Sequence, residues 1–340
     1  MKIETWKTKT NLKIELIKAK YIFVLFALIL FIFSGIKIGK IMNEYVYWQK
    51  TKDIYNAALI NVPIDYSHLK PFRNWRIGNL EGLSAKGAIV LATESEEAEN
   101  KIIFRKNISE MFPIASLSKI VSAYVVLKNY ELEQKTIITQ GAVDTEEEKG
   151  QFRVGQEFTV NELLYSMLVE SSNDAARALA EIIGEKKFVG LMNSEIKKIG
   201  IKHTHFVDPI GLDPDFPNQA YNYSTADDLA KFVQYILEQA KTDAKIAKIF
   251  EITKNTEHMI LLSNGNQHHK AQTTDKLLEE FPNIVGGKTG QTPKAKQCLL
   301  IILPQPKSEQ GYLVSIILGS NNRFGEMKQI INWLEKGFIW

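Results

Sequence analysis

Two patterns of apolar and polar residues occur along the chain, one typical of strands and the other typical of helices. Residues 87–92 form an apolar run and residues 101–105 alternate between apolar and polar, which predicts a β-hairpin. Further strand-like runs cover residues 258–262, 298–303 and 312–319. Elsewhere apolar residues recur at spacings of three and four, the period of a helix that buries one face. The predicted helices cover residues 115–130, 160–183, 186–199, 224–240 and 326–337.

The order of these elements predicts an α+β fold. Strands near both ends of residues 83–340 enclose a helical middle. If the early hairpin and the late strands share one sheet, helices must cover both faces of that sheet to bury them. We therefore expect one domain over residues 83–340 in layers of helix, sheet and helix, preceded by a stalk over residues 40–82.

The N-terminal region predicts a membrane anchor. Residues 21–36 carry no charge, and a cluster of lysines precedes them: Lys2, Lys7, Lys9, Lys13, Lys18 and Lys20. A cleavable signal peptide is the alternative, but the small-x-small site that cleavage needs is missing after the apolar run. We expect an uncleaved transmembrane helix over residues 21–39, with residues 1–20 in the cytoplasm and the remainder outside the cell.

Composition narrows the choice of function. Of the 340 residues, 45% are apolar and 24% charged, so the chain can bury a sizeable core. The net charge of +3 and the lack of a basic stripe argue against a nucleic-acid partner. The single cysteine, Cys298, lies in a strand-like run and is predicted to be buried rather than reactive.

Three short motifs carry candidate chemistry, and each is weak when taken alone. S-x-x-K occurs not only at Ser116 but also at Ser34, Ser67 and Ser194, while K-T-G occurs once. S-x-x-K, S-x-N and K-T-G together form the signature of penicillin-binding proteins and class A β-lactamases. One choice places all three in order with suitable neighbours: Ser116-Leu117-Ser118-Lys119, Ser171-Ser172-Asn173 and Lys288-Thr289-Gly290.

The positions of these residues suit acyl transfer. Ser116 is predicted in the first turn of a helix, where backbone N–H groups stabilise an oxyanion. Lys119 follows by three residues, so it shares the helical face of the serine. In an enclosed site beside a second cation, Lys288, its amine can lose a proton and act as a base. An ordinary helix with exposed Ser and Lys is the alternative, which we accept for Ser34, Ser67 and Ser194.

The other two motifs also have simpler interpretations. Ser171 and Asn173 fall between two helical segments, and Asn173 followed by Asp174 is a good helix N-cap. Lys288, Thr289 and Gly290 follow a Val-Gly-Gly stretch that predicts a strand at a sheet edge, where a peptide substrate can approach the backbone.

From residue 85 to the C-terminus, the chain resembles the low-molecular-mass penicillin-binding proteins, the D-alanyl-D-alanine carboxypeptidases. The resemblance extends beyond the three motifs, in the order of the family. The further blocks are Thr204-His-Phe-Val-Asp-Pro-Ile-Gly-Leu212 and Tyr223-Ser-Thr-Ala226. It implies the fold of serine β-lactamases and penicillin-binding proteins, in which a central antiparallel sheet is flanked by helices beside a helical subdomain.

The resemblance also implies a role for each site residue. Ser116 would attack the carbonyl between the last two D-alanines of a peptidoglycan stem peptide, with Lys119 taking its proton and Ser171 relaying it to the leaving amine. Asn173 would hold the substrate amide. Lys288 and Thr289 would bind the terminal carboxylate, beside Gly290. The N–H groups of Ser116 and Gln291 would form the oxyanion hole. No metal or organic cofactor is implied, and β-lactams would be covalent inhibitors.

Two departures from the family bear on substrate preference. Ile210 stands where many relatives have His, and Gln291 follows K-T-G in place of commoner residues. Many relatives also carry a further β-rich domain and a C-terminal amphipathic helix. Here one helix is predicted after the last strand, so we expect the N-terminal segment to supply the anchor.

Four alternatives remain at this stage. A class A β-lactamase would need an E-x-x-L-N loop, and none occurs between Asn173 and Lys288. A D,D-endopeptidase acting on cross-linked peptides would use the same residues, and a non-catalytic peptidoglycan binder or β-lactam sensor would keep the fold. A metal site would use four histidines, His203, His205, His268 and His269, which we interpret as solvated or capping.

Overall fold

The structure is a computed structural model that describes residues 38–39, 42–46, 49, 71–74, 76–93, 101–145, 150–214, 216, 218–308 and 311–340. Nearly all of the predicted transmembrane segment, residues 21–39, lies outside these residues, as does most of the predicted stalk. Among the described residues, no helix is both long and apolar enough to cross a membrane. The chain divides into two units, Met1–Phe72 and Arg73–Trp340, and the candidate site lies in the second.

The longer strands belong to one five-stranded sheet and one hairpin, and the other strands have two or three residues. In chain order they are β1 (Phe72–Arg73), β2 (Gly87–Thr93), β3 (Lys101–Lys106), β4 (Phe112–Pro113), β5 (Lys135–Ile137), β6 (Glu157–Thr159), β7 (Tyr223–Ser224), β8 (Glu257–Leu261), β9 (Gln267–Gln272), β10 (Gly286–Thr292), β11 (Lys296–Pro304), β12 (Tyr312–Ser320) and β13 (Phe338–Ile339).

The helices occupy the middle of the chain and its C-terminal end. They are α1 (Ser118–Asn129), α2 (Gln140–Val143), α3 (Val160–Tyr165), α4 (Asn173–Glu181), α5 (Glu185–Lys198), α6 (Ala226–Ala240), α7 (Ala244–Thr253) and α8 (Arg323–Gly337). A 3₁₀ turn, Ala115–Leu117, precedes α1, and a π-helical turn, Ser166–Glu170, follows α3.

A five-stranded antiparallel sheet in the order β10-β11-β12-β2-β3 forms the centre of the second unit. Alternate residues of β2 face opposite sides: Ile89 joins the core on one face, and Val90 joins the core on the other. Both faces are buried, which explains why the strand is a continuous apolar run rather than an alternating one.

Helices cover both faces of the sheet. On one face, Met327 and Ile330 of α8 pack into the same core cluster as Val90. On the other face, α1 and α6 meet the sheet, where Val121 and Phe232 surround Leu300. Helices α2 to α5 pack on one another, and α4 and α5 pack on α1, forming a helical region beside the sheet. The predicted α+β architecture of helix, sheet and helix layers is confirmed.

Two features of the fold differ from the sequence prediction. The run at residues 258–262 is a strand, but β8 pairs only with β9 in a separate two-stranded hairpin, so the expectation that it shares the central sheet is wrong. Polar positions explain this, because β9 is rich in Gln, His and Lys and cannot be buried on both faces. Helix α7 was not predicted. Its Asp243 side chain accepts hydrogen bonds from the N–H groups of Lys245 and Ile246 and so caps its start.

Candidate active site

Ser116 lies in the 3₁₀ turn immediately before α1, rather than in the first turn of the α-helix as the sequence predicted. The turn begins with Ala115 at φ 48°, a left-handed conformation that costs a residue with a Cβ atom about 1 kcal/mol. Buried hydrogen bonds brace this conformation. Ser118 Oγ donates to the Ala115 carbonyl over 2.9 Å, and Asn222 Nδ2 donates to Ser118 Oγ over 3.0 Å. The serine is therefore presented by a strained and well-supported turn.

Lys119 projects from the first turn of α1 directly at the serine. Its Nζ lies 2.9 Å from Ser116 Oγ, and the residue is fully buried. The same Nζ donates to Asn173 Oδ1 over 2.6 Å and to the Ser171 carbonyl over 3.0 Å. The spacing of three therefore brings the amine against the nucleophile, as predicted. The oxygen atoms of Ser171 and Asn173 hold it there.

Ser171 sits at a break between helices. It follows the π-helical turn and adopts a left-handed conformation, φ 67° and ψ 31°. This conformation interrupts the helix and brings the Ser171 hydroxyl within 3.4 Å of Lys119 Nζ and 2.8 Å of Lys288 Nζ. The hydroxyl therefore lies between the two amines, in a position to pass a proton.

Asn173 is the first residue of α4 and not its cap. Ser172 caps the helix instead, because its Oγ accepts a hydrogen bond from the Ala175 N–H over 3.2 Å. The interpretation of Asn173 as an N-cap is therefore wrong. Its side chain is released for the site, where it accepts from Lys119.

Lys288, Thr289 and Gly290 lie on β10, which is an edge strand of the central sheet as predicted. Lys288 is 2% exposed, and its Nζ donates to Ser171 Oγ and, over 3.0 Å, to the Thr289 carbonyl. Thr289 Oγ1 lies 2.5 Å from Thr274 Oγ1. A Cβ atom on Gly290 would lie 3.0 Å from the Ser116 nitrogen, so glycine allows the strand to approach the nucleophile.

An open cavity of about 580 Å³ extends from the serine along β10. Its wall includes Ser116, Ser171 and Thr289, and it continues past Gln291 to Arg323. Lys288 is not among the residues that line it. Gly290 and Gln291, both named from the sequence, belong to this wall. Lys119 and Asn173 do not line the cavity, so the structure places some of the predicted residues on its wall and the others behind it.

Arg323 was missed by the sequence interpretation. It is the first residue of α8, and its Nη1 donates to the Gly290 carbonyl over 2.9 Å and to Gln291 Oε1 over 3.3 Å. Burial lowers the pKa of its guanidinium. No motif marks this arginine, because it reaches the site from a helix start that follows K-T-G by many residues. A cation beside the K-T-G strand could have been sought only from the pairing of β10 with β11 and of β11 with β12, which brings the end of β12 near Gln291.

One buried carboxyl lies behind β10. Asp275 is 5% exposed, and burial raises its pKa to about 6 from an ordinary 3.8. The cations Lys288 and Arg323 act in the opposite direction and limit the shift. Oδ1 accepts the Leu277 N–H over 2.9 Å, whereas Oδ2 is buried without a hydrogen-bond partner.

The remaining sequence candidates fall elsewhere. Ser194 lies exposed on α5, while Ser34 and Ser67 are outside the described residues. Cys298 is fully buried in β11, and burial raises the pKa of its thiol to about 11, as expected of an unreactive cysteine. Within the part of the chain that the structure describes, no group of three or more His, Cys, Asp or Glu residues is arranged to hold a metal ion.

The interpretation of His268 and His269 as solvated or capping is wrong. Both lie on β9, and the two Nδ1 atoms are 2.7 Å apart. His269 Nε2 lies 2.8 Å from a carboxylate oxygen of Glu170, and the His269 side chain is only 6% exposed. Phe152 stacks on the ring of His268 with ring centroids 5.6 Å apart.

A serine, a buried lysine three residues later and a lysine on the facing edge strand of a helix-covered sheet define the class of serine enzymes that includes penicillin-binding proteins and class A β-lactamases. Comparison with known proteins agrees. Residues 78–322 match the family described as D-alanyl-D-alanine carboxypeptidase. The chain belongs to this family.

Its curated relatives carry two kinds of name. The D-alanyl-D-alanine carboxypeptidase DacF of Bacillus subtilis is 28% identical over 265 residues, which span 75% of this chain and 62% of DacF. A D-alanyl-D-alanine endopeptidase of Escherichia coli is 30% identical over 251 residues, 71% of this chain and 75% of that protein. The match thus covers less than two thirds of DacF and three quarters of the endopeptidase.

Solved structures share the fold. Penicillin-binding protein D2 of Listeria monocytogenes, in its cefotaxime-bound form, superposes with a TM-score of 0.63 at 25% identity, over 76% of this chain and all of that chain. A D-alanyl-D-alanine carboxypeptidase of Mycobacterium tuberculosis superposes with a TM-score of 0.64 at 24% identity, over 75% of this chain and 92% of that one.

Proposed function

We propose that this protein is a serine-type D-alanyl-D-alanine carboxypeptidase that removes the terminal D-alanine from peptidoglycan stem pentapeptides. The observation that carries the proposal is the contact of 2.9 Å between Lys119 Nζ and Ser116 Oγ in a buried site that opens to a cavity. A neutral amine at this distance can accept the hydroxyl proton as the oxygen attacks. Membership of the family supplies the substrate class.

The reaction has two halves, the acylation of Ser116 and the hydrolysis of the resulting ester. Ser116 Oγ forms a bond to the carbonyl carbon of the penultimate D-alanine, and its proton moves to Lys119 Nζ. The N–H groups of Ser116 and Gln291 stabilise the resulting oxyanion. The C–N bond then breaks, and the proton passes through the Ser171 hydroxyl to the leaving amine, which departs as free D-alanine. Water hydrolyses the ester and restores Ser116, with Lys119 again as the base.

The polar groups around the cavity suit a peptide that ends in a carboxylate. Asn173 holds the substrate amide. Thr289 and Arg323, which both line the cavity, bind the terminal carboxylate, since a guanidinium is well matched to that group. Lys288, held at the Ser171 hydroxyl and the Thr289 carbonyl, supports proton transfer and adds to the positive potential from behind.

A second candidate activity is D,D-endopeptidase cleavage of cross-linked stem peptides. Two observations favour it. The cavity continues beyond Gln291 to Lys296 and Asn321, well past the space that one terminal alanine needs. In addition, relatives from Escherichia coli and Pseudomonas aeruginosa are named endopeptidases. The same nucleophile and base serve both activities.

The proposed location is the outer face of the cell membrane. The apolar run of residues 21–36 and the lysines before it support a single membrane-spanning anchor over residues 21–39, with residues 1–20 in the cytoplasm. The substrate is then a wall peptide, and β-lactams are covalent inhibitors. The cefotaxime-bound form of the Listeria protein supports this inhibition.

Covalent labelling with a fluorescent penicillin tests the nucleophile. We expect wild type to be labelled, Ser116→Ala to be unlabelled, and Ser194→Ala to be labelled like wild type. Ser194 is a matched control because it begins another S-x-x-K sequence but is exposed on α5. Equal labelling of the Ser116→Ala variant would refute the assignment.

Peptide digestion separates the two activities. Wild type is incubated with a stem pentapeptide and, separately, with a cross-linked dimer. Free D-alanine from the pentapeptide supports the carboxypeptidase, and monomers from the dimer without that release support the endopeptidase instead. Release of neither product would refute both.

A further inference from the structure

A series of hydrogen-bonded polar side chains lies behind the turn that carries Ser171, and the proposed reaction does not use this series. Glu170, the residue before Ser171, accepts a hydrogen bond from Ser166 Oγ over 2.6 Å. The same oxygen, Oε1, lies 2.8 Å from His269 Nε2. His269 Nδ1 in turn lies 2.7 Å from His268 Nδ1. Side chains from β9 are thus joined to the π-helical turn next to the relay serine.

The chemistry of the rings fixes the direction of the bond to Glu170. A carboxylate can only accept, so His269 Nε2 must carry a proton and donate it. The bond between the two Nδ1 atoms needs one donor and one acceptor. If His269 is neutral, His268 donates; if His269 is cationic, it donates to His268. In either state, His269 remains bonded to Glu170.

Surrounding side chains shield the hydrogen bond between His269 and Glu170 from water. The side chains of His269 and Glu170 are 6% and 12% exposed. His268 stacks on Phe152 at an interplanar angle of 11° and meets the edge of Phe158. Burial and the neighbouring His269 lower the pKa of His268. Hydrogen bonds to a charged group are strong when they are shielded from solvent, so this is a rigid connection rather than a surface contact.

The connection reaches Ser171 through the backbone. Ser171 needs the left-handed conformation of φ 67° to place its hydroxyl between the two lysines. Backbone bonds hold the turn on either side of Glu170: the Ser172 N–H donates to the Ser166 carbonyl over 3.1 Å, and the Thr274 N–H donates to the Val169 carbonyl over 3.2 Å. Among the hydrogen bonds of the described residues, one charged bond joins a side chain of this turn or of Ser171 to β9, and it is made by Glu170.

We propose that Glu170 and His269 are positioning residues, which act through the backbone to hold the Ser171 hydroxyl in line for proton relay. The inference rests on the proposed function, since it assigns a support to that reaction. It adds two residues that touch neither the substrate nor the reacting atoms. Loss of the support should slow the chemical step while leaving the cavity, and therefore non-covalent binding, intact.

The chain contains a matched control pair. Glu162 and His258 lie at the start of the same helical segment and on the same hairpin, with Glu162 Oε2 and His258 Nε2 3.4 Å apart. Glu162 also accepts the Leu261 N–H over 2.9 Å. This pair also joins a glutamate and a histidine across the same two parts of the fold, but His258 Nε2 makes no hydrogen bond and the pair is remote from Ser171 along the helix.

The test is stopped-flow acylation by a fluorescent penicillin, which separates the dissociation constant of the first complex from the acylation rate constant. We expect Glu170→Ala and His269→Ala to slow acylation about tenfold, the scale of a modest misplacement of a reacting group, with no change in the dissociation constant. The double variant should be no slower than the slower single variant. Glu170→Gln should recover most of the rate, because its amide oxygen can accept both bonds.

Glu162→Ala and His258→Ala should acylate like wild type. Thermal midpoints are recorded for every variant, and Glu170→Met and His269→Phe, which keep side-chain bulk without the polar atoms, replace an alanine variant that does not fold. The positioning role is overturned if Glu170→Ala acylates at the wild-type rate, or if Glu162→Ala slows acylation equally. If wild type is not acylated at all, the proposed function fails, and this inference fails with it.

Discussion

Lys288 Nζ donates a hydrogen bond of 2.8 Å to Ser171 Oγ, so the lysine of the third motif contacts the serine of the second rather than the cavity. Lys119 Nζ approaches the same hydroxyl to 3.4 Å. One hydroxyl therefore stands between two buried amines that come from a helix and from an edge strand. This arrangement favours the proposed relay through Ser171, while the binding of a terminal carboxylate by Lys288 stays a prediction.

Two adjacent serines should respond to alanine in opposite ways. Ser171→Ala removes the relay hydroxyl, so the acylation rate constant should fall at least about hundredfold, with little change in stability. Ser172→Ala removes the cap of α4, so the free energy of unfolding should fall by about 1 kcal/mol while acylation stays close to wild type. Penicillin acylation and urea unfolding measure the two effects. Equal acylation by both variants would contradict the relay.

Gly290 should not tolerate a methyl group. In Gly290→Ala, the Cβ atom would press on the Ile114 carbonyl and the Ser116 nitrogen, each 3.0 Å away, and drive β10 from the nucleophile. We expect acylation to slow roughly tenfold to hundredfold, measured by the same assay. Gly190→Ala is the control, since nothing lies within 4 Å of its Cβ on helix α5; it should gain up to about 1 kcal/mol of stability. Unchanged acylation in Gly290→Ala would show that the close approach is dispensable.

Arg323 should select substrates with a free terminal carboxylate. Arg323→Ala should raise KM for a stem pentapeptide roughly tenfold to hundredfold, the loss of a charged hydrogen bond of about 1.5 to 3 kcal/mol. A pentapeptide with an amidated C-terminus should bind wild type and the variant alike. Lys296→Ala is the control, because Lys296 is a second cation on the same wall, bonded to Asn321. An equal rise in KM for both variants would mean that only the general positive charge matters.

Asp275 should make stability depend on pH. Since its folded pKa of about 6 lies above the ordinary 3.8, the folded protein holds this proton more tightly than the unfolded chain. The stability from this group is complete below pH 3.8 and is lost as the pH rises through 6. Asp275→Asn keeps the oxygen that accepts from Leu277 and removes the titration.

We therefore expect Asp275→Asn to be more stable than wild type at pH 8, by up to about 3 kcal/mol, and to lose this advantage as the pH approaches 4. Urea unfolding at the two pH values measures the difference. An advantage that is the same at both pH values would show that the carboxyl is not responsible.

The sequence predicted those parts of the site in which spacing decides geometry. Lys119 follows Ser116 by three residues, so a helix alone brings them together, and the order of the three motifs identifies the residues around the cavity. Long-range contacts carry no such pattern. Arg323 and Asp275 approach β10 only because the sheet and its helices place them there, and neither belongs to a motif. Polar strands were also misjudged, since the pairing of β8 with β9 depends on which faces are left to bury.

Competition between two neighbouring residues for the cap position explains why Asn173 was considered as the cap of α4. Ser172 and Asn173 are both good helix caps, and the sequence cannot choose between neighbours. The left-handed conformation of Ser171 shifts the start of α4 by one residue and gives the cap to Ser172. A strained backbone at a relay residue is a tertiary effect, and it decides which side chain is free for the site.

The order of strands in the central sheet also controls when an active enzyme can exist. Ala88 of β2 lies opposite Ile317 of β12. Strands β2 and β3 therefore cannot join the rest of the sheet until β12, near the end of the domain, has been synthesised. Pairings this remote in sequence form slowly, and until then β2 has an open edge at risk of joining another chain. A chain that ends before β10 lacks Lys288 and the edge strand against which a substrate would be held. Penicillin labelling would therefore report completed synthesis and folding, which makes it a direct assay of the maturation of this protein in the cell.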